Sequence, residues 1–295
     1  MDEQKGDVRV GHGTSKVACG HVEASVDHAQ AALAAARGAG LAVERAEVVT
    51  VAANVLVRLE PGPYAARLTG ATAPFRDAAA NLGREARLAT ALAAAGAPVP
   101  APLGGPYEAS GRAVTLWPWL ELRGDAGDAE QAGRALRACH DALAAIDPAG
   151  LELEPLAMLT EARRLAAGAL PEILPAVDHA LATLGAAPHR IVHGDSHPGN
   201  VLWTAGGPLW SDWEDAHLAP LEWDLGCLVA AARMHGNDFG WAEAALAAHG
   251  GPFDAALLDA CVDARVAQGA AYLAATGRGD PEAPHRRLDW LTRGP

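Results

Sequence analysis

Between residues 191 and 200 the chain reads IVHGDSHPGN, and twelve positions after Asn200 it reads Asp212-Trp213-Glu214-Asp215. Gly194, Pro198 and Gly199 forbid a regular helix here, so Asp195 and Asn200 are held five positions apart on a tight loop. Oxygen ligands on a rigid loop suit Mg²⁺, which takes few protein carboxylates and fills its shell with water and phosphate oxygens. A carboxylate that is not on the metal can accept or orient a hydroxyl proton. That division of labour is what phosphoryl transfer needs: one Asp beside the nucleophile, an Asn and another Asp on the metal. Asp195, Asn200 and Asp212 are therefore the first candidate residues.

Other chemistries fit these letters less well. His193 and His197 lie four apart around Asp195, but the Gly and Pro remove the helical face that a zinc pair would use, and no cysteine is near. Ser196 as a hydrolytic nucleophile would need a His and an acid presented to it, and nothing in the sequence identifies them. A single Asp on a Gly/Pro loop is ordinarily a turn-former. The joint pattern of Asp195, Asn200 and Asp212 carries the inference.

The flanking residues predict how these groups are brought together. Ile191-Val192 leads in as a short buried strand, Val201–Thr204 leads out, Gly206-Gly207 turns, and Leu209–Ser211 returns Asp212 beside the loop. Upstream, a helix is predicted over 23–38, and a β-branched segment over 47–59. The turn Glu60-Pro61-Gly62-Pro63 leads into a strand at 64–68, followed by a helix over 75–95. A β segment over 106–120 turns at Gly111. After Asp125 the pattern is helical, over 128–146, 155–168, 171–185, 223–235, 240–249 and 254–275. The chain thus reads as α+β, a β-rich N-terminal third with one internal helix before a mostly helical remainder. The expected organisation is a flexible leader over 1–22, an N-terminal lobe over 23–116, a joint at 117–121 within LWPWLE, and a C-terminal lobe over 122–295.

Composition narrows the partners. Half of the 295 residues are hydrophobic, enough for a substantial core. A net charge of −13, from 36 acids against 23 bases, repels nucleic acid and anionic membrane surfaces and attracts cationic small molecules. Cys19, Cys139, Cys227 and Cys261 are far apart in sequence and form no CxxC pair, which fits a reducing cytoplasm better than a disulfide framework. The first residues are polar and acidic with no apolar signal region, and no charge-free apolar run is long enough to span a membrane.

HGDSHPGN followed by SDWE resembles the catalytic and metal-binding segments of the aminoglycoside phosphotransferase family. With choline and other small-molecule kinases, that family shares a two-lobed protein-kinase-like fold. The resemblance runs from about residue 41 to about residue 235 and implies a small β-rich N-lobe and a larger helical C-lobe. It implies ATP (or GTP) as phosphate donor with Mg²⁺, Asp195 as catalytic base, and Asn200 and Asp212 as metal ligands. Lysine is absent after residue 16, so Arg67, in YAARL, stands where the family pattern puts the phosphate-holding cation, and Glu85 stands as its helix partner. An arginine is always charged and grips phosphate bidentately. The phosphate-covering segment 50–56, TVAANVL, has no glycine, and only backbone around Ala53 and Asn54 is left to approach the phosphates. The resemblance makes LWPWLE the adenine-binding hinge, with the carbonyl of Pro118 accepting, the amide of Leu120 donating and Trp119 beside the nucleotide. Proline there lacks only an N–H that is not needed. Asp224 and His193 would brace the catalytic loop. Asp215, Glu222, Asp238, Asp259 and Asp263 are the acids expected to face a cationic amino-sugar or choline-like acceptor. The implied function is ATP- and Mg²⁺-dependent transfer of the γ-phosphate to a hydroxyl of a small molecule, aminoglycoside-like or another amino-alcohol or sugar. The missing glycine loop and the Arg-for-Lys exchange motivate the alternative, an inactive nucleotide-binding sensor or scaffold.

Overall fold

The computed structural model describes residues 20–70, 73–124, 127–235 and 239–293, so most of the expected leader, Cys19 and Asp238 lie outside the described residues. The N-terminal lobe is built on a five-stranded antiparallel sheet, β1 (Arg45–Val51), β2 (Asn54–Glu60), β3 (Tyr64–Thr69), β4 (Gly104–Ala109) and β5 (Arg112–Pro118), in the order β1-β2-β3-β5-β4. Period-2 alternation decides what each face does. Val55, Val57 and Leu59 of β2 point to one face and are fully buried there against α1 (Gly20–Gly38). Four small residues of α1, Ala31, Ala32, Ala35 and Ala36, let helix and sheet approach closely. The alternate residues Leu56, Arg58, Ala65 and Arg67 therefore face the other way, into a cleft.

The segment 47–59 was expected as one extended run, but the chain folds back on itself at Ala52-Ala53, separating β1 from β2. Two alanines carry no turn signature, and the β-branched residues on both sides mask the break. The helix expected over 75–95 is α2 (Ala78–Ala94), capped by Asp77, whose side chain accepts from Ala80 N at 3.0 Å. Its far end is not confined to the sheet. Leu88 and Leu92 enter the same core as Leu136, Trp210 and Trp213 of the C-terminal part, and Trp210 N donates to Pro98 O at 2.8 Å.

The C-terminal part is helical: α3 (Ala129–Leu143), α4 (Ala157–Ala169), α5 (Leu174–Gly185), α6 (Glu222–His235), α7 (Phe239–His249), α8 (Ala255–Thr276) and α9 (Ala283–Arg293). The pattern reading had omitted α9. α8 runs through the middle, its buried Cys261, Ala264, Ala267, Ala270 and Ala271 packed on neighbouring helices. Two small ribbons interrupt the helices. β6 (Arg190–Val192) pairs with β9 (His217–Ala219), a strand not foreseen, and β7 (Val201–Thr204) pairs with β8 (Gly207–Trp210) as the expected hairpin. The result is a two-lobed molecule with the cleft between the sheet and these ribbons. Among the described residues no helix is long and apolar enough to cross a membrane. Cys139, Cys227 and Cys261 are free and buried.

Candidate active site

The loop that carries Asp195 is held from beneath by Asp224, a fully buried acid in the first turn of α6. One of its oxygens accepts from Gly194 N at 2.9 Å, and the other from His193 N at 2.7 Å and His140 Nε2 at 2.8 Å. Ser196 is also buried and donates its hydroxyl to Asp224 O at 2.7 Å, so it is no nucleophile. Gly194 has φ +90°, and a β-carbon there would lie 2.0 Å from Asp215 O. Only glycine allows the two loops to pass so closely. His193 Nε2 bonds Ser211 O at 2.9 Å while its Nδ1 accepts from Asp195 N at 3.3 Å. Its ring thus links the Asp195 loop to the strand end before Asp212, and it does not converge with His197. Among the described residues no three His, Cys, Asp or Glu side chains are grouped so that they could hold a metal.

The polarity of the hydrogen bonds extends from Asp224 outward. If His140 gives Nε2–H to Asp224, its Nδ1 accepts from His249 Nε2 at 2.9 Å, and His249 Nδ1 then accepts from Gly251 N at 3.4 Å. A proton added at His249 Nδ1 would face that N–H. Burial, then the neighbouring His140 and Arg137, lower His249 from 6.5 to about 4. Because the unfolded chain binds this proton between pH 6.5 and 4 and the fold does not, stability is lost as pH falls through that window. Replacing His249 by Gln keeps an N–H toward His140. It is expected to remove up to about 3 kcal/mol of that acid-side loss, read by urea unfolding at neutral and mildly acid pH. An unchanged pH slope in the variant would show the assignment to be wrong.

Asp212 follows β8 in a left-handed conformation, φ 68° and ψ 54°, uncommon for a residue with a β-carbon. The turn aims its carboxylate across the cleft, where Oδ1 accepts from Arg67 Nη2 at 2.8 Å. Arg67 Nη1 bonds Glu85, and Glu85 in turn accepts from Trp213 N at 3.2 Å. Strand β3, helix α2 and the Asp212 loop are thereby tied into one network around a buried carboxylate. Asn200 donates Nδ2 to Asp195 O at 2.8 Å, so the atom it offers to the cleft is Oδ1.

Sequence reading missed several members of the site. Glu214, two residues after Asp212, receives Asn54 Nδ2 at 2.5 Å and lies 3.8 Å from Arg67 and 3.7 Å from Arg76. Arg76, just before α2, pairs with Asp215 and lies 3.8 Å from Glu161 of α4. Burial pushes Glu214 up to about 7 and Glu85 up to about 8, against the pull of the arginines. Arg265 of α8, 70 positions from Asp195, forms an ion pair with it. Burial alone would raise Asp195, but Arg265 and then His197 and His193 hold it well below the usual carboxylate range. Of the missed residues, only Glu214 had a local signal, its place in the DWED run beside the expected Asp215.

Two cavities meet at Ala53 and Asp212. The first, about 680 Å³, lies under the sheet and is lined by Asn54, Arg67, Glu85, Pro118, Trp119, Leu120, Asn200 and Asp212. At its hinge, Trp119 N is taken by Pro63 O at 2.7 Å, and Arg58 lies 4.8 Å over the Trp119 ring. The second cavity, about 400 Å³, holds Asp195, His197, Asp212, Glu214, Asp215 and Arg265. The remaining acids expected to face an acceptor are elsewhere. Glu222 accepts from Asp254 N at 3.0 Å and anchors the start of α8, Asp259 pairs with Arg233 at the surface, and Asp263 lies beside Asp259 and His179. Asp215 does line the cavity, but Arg76 neutralises it. Helical periodicity explains the misplacement: positions 259 and 263 share a face of α8, and 265, 269 and 272 lie on another.

The sequence profile of the phosphotransferase enzyme family matches residues 44–285. No curated protein matches the chain at a significant level. Among solved structures, the amicoumacin kinase hAmiN in complex with AMP-PNP and Ca²⁺ is similar at TM-score 0.71 and 14% identity, covering 94% of this chain and 97% of that one. The choline kinase LicA from Streptococcus pneumoniae gives 0.64 and 14%, over 89% and 97%. A choline/ethanolamine kinase family protein from Mesorhizobium loti gives 0.64 and 19%, over 93% and 95%.

Proposed function

The chain belongs to the phosphotransferase enzyme family, and from that premise we propose that it transfers the γ-phosphoryl group of ATP (or GTP), with Mg²⁺, to a hydroxyl of a small molecule. The observation that carries this reading is the junction of the two cavities at Asp212, with Arg67, Glu85 and Asn200 on one side and Asp195 on the other. A donor in the larger cavity and an acceptor in the smaller one would meet there and nowhere else along their shared wall. In this reading the N-terminal lobe, 23–116, and the C-terminal lobe, 122–295, close on the nucleotide about the joint at 117–121.

The residues fit a magnesium ion. Asn200 Oδ1 and the partly exposed Asp212 carboxylate are hard oxygen donors, and one carboxylate plus an amide is the sparse protein share that Mg²⁺ takes beside phosphate. When bound, that ion neutralises charge on the transferring phosphates. Arg67 adds a fixed cation, positioned by Glu85. Pro118 O and Leu120 N are the hinge groups left for the base, since Trp119 N is already bonded. Asp195, kept ionised by Arg265, orients the acceptor hydroxyl and takes its proton as the bond to phosphorus forms. A weak base suffices, because in a loose transition state the hydroxyl proton is transferred late. Positioning and charge neutralisation supply most of the rate gain.

Coupled measurement of ADP release against aminoglycosides, choline, sugars and polyols tests the reading. ADP release that depends on both Mg²⁺ and an acceptor is the expected result. A chain with no Mg²⁺-dependent affinity for ATP would overturn it.

A further inference from the structure

Of the charged groups that line the second cavity, Arg287 is the one with no oppositely charged partner among the described residues. Its acids all have partners: Asp195 has Arg265, Asp212 has Arg67, Asp215 and Glu161 have Arg76, and Glu214 lies between Arg67 and Arg76. Arg287, from α9, lines the same cavity without an acid partner among the described residues. The charges that act on it are the cations Arg265 and Arg286, and with burial they lower its pKa. A partly buried cation with like charge beside it is costly unless an anion answers it.

The neighbouring helix is shaped to hold this side chain. Gly269 stands in the middle of α8, where glycine costs about 1 kcal/mol relative to alanine. A β-carbon there would come within 3.3 Å of Arg287 Nε and 3.9 Å of Cζ, so the glycine leaves room for the guanidinium against the helix. Gly269 is one turn after Arg265, which contacts Asp195. The wall therefore runs from Asp195 to Arg265 and, one helical turn on at Gly269, to Arg287.

We infer that Arg287, with Arg265 beside it, is a subsite for an anionic group of the acceptor, a carboxylate or phosphate a few bonds from the hydroxyl that Asp195 receives. This rests on the phosphotransferase reading above, and it reverses the sign of charge that composition suggested for the acceptor. A guanidinium offers such a group a bidentate, charge-assisted pair.

Calorimetric titration of the protein saturated with AMP-PNP and Mg²⁺ tests it. Gluconate is compared with sorbitol, glycerol 3-phosphate with glycerol, and choline serves as the cationic probe. At least one anionic member is expected to bind about ten- to a hundredfold more tightly than its neutral counterpart. Whether gluconate or glycerol 3-phosphate is preferred tells carboxylate from phosphate. Arg287→Gln is expected to erase the preference, Arg287→Lys to keep part of it, and Arg286→Gln, at an exposed pair with Asp280, to leave it intact. The inference is overturned if neither anion binds up to tens of millimolar. Binding of sorbitol, glycerol or choline as tight as the anions, or an undiminished preference in Arg287→Gln, overturns it equally. Saturation with AMP-PNP and Mg²⁺ is itself measured first. Its failure removes the phosphotransferase reading, whereas a nucleotide-loaded protein indifferent to anions removes this subsite alone.

Discussion

Replacing Asp195 by Asn is expected to lower kcat by about 10²–10⁴-fold while leaving the affinity for ATP and Mg²⁺ nearly unchanged. The asparagine still offers Oδ1 to Arg265, so the buried guanidinium keeps an acceptor and the loop keeps its place. Alanine would also abolish turnover, but it would leave the partly buried Arg265 without its acid and so confound the result with a loss of stability. The nucleotide cavity does not include Asp195, so binding and turnover separate cleanly in this variant. Turnover close to that of the unmodified enzyme would end the assignment of Asp195 as the proton acceptor.

Asp212→Asn is expected to fail in the opposite order, at binding before chemistry. Partners that merely support a metal ligand are worth about 10–100-fold in metal affinity, so neutralising a ligand should weaken Mg²⁺-dependent ATP binding by about 100-fold or more. The amide can still accept from Arg67, which confines the change to charge. ATP affinity is measured with and without Mg²⁺. The unmodified protein should show a large difference, and the variant almost none. An unaltered Mg²⁺ dependence would mean that the metal is held elsewhere.

The two variants probe the part of the molecule that its sequence made most legible. Asp195, Asn200 and Asp212 fall within eighteen consecutive residues, and the glycines, prolines and short strands among them state their own geometry. Arg67 and Glu85 were legible only through resemblance, because an arginine on a strand and a glutamate on a helix carry no mutual signal. Arg265 and Arg76 were not legible at all. Their partners lie 70 and 139 positions away, and only the packing of α8 and of the loop before α2 brings them in. Glu222, Asp259 and Asp263 lie away from the second cavity for the same reason: an excess of negative charge in the composition says nothing about which face of a helix meets a cavity. Folding back at Ala52-Ala53 was hidden because alanine punctuates nothing, whereas the Gly206-Gly207 turn was plain.

The placement of Leu88 and Leu92 in a core common to both halves means that α2 belongs to both lobes, joined behind the cleft by apolar packing. On the other side, β1 is an edge strand of the sheet with Val49 and Val51 facing water. Arg67, Glu85 and Asp212 thus bridge two halves that already share one core, and a truncation at Leu88 or Leu92 would loosen both at once.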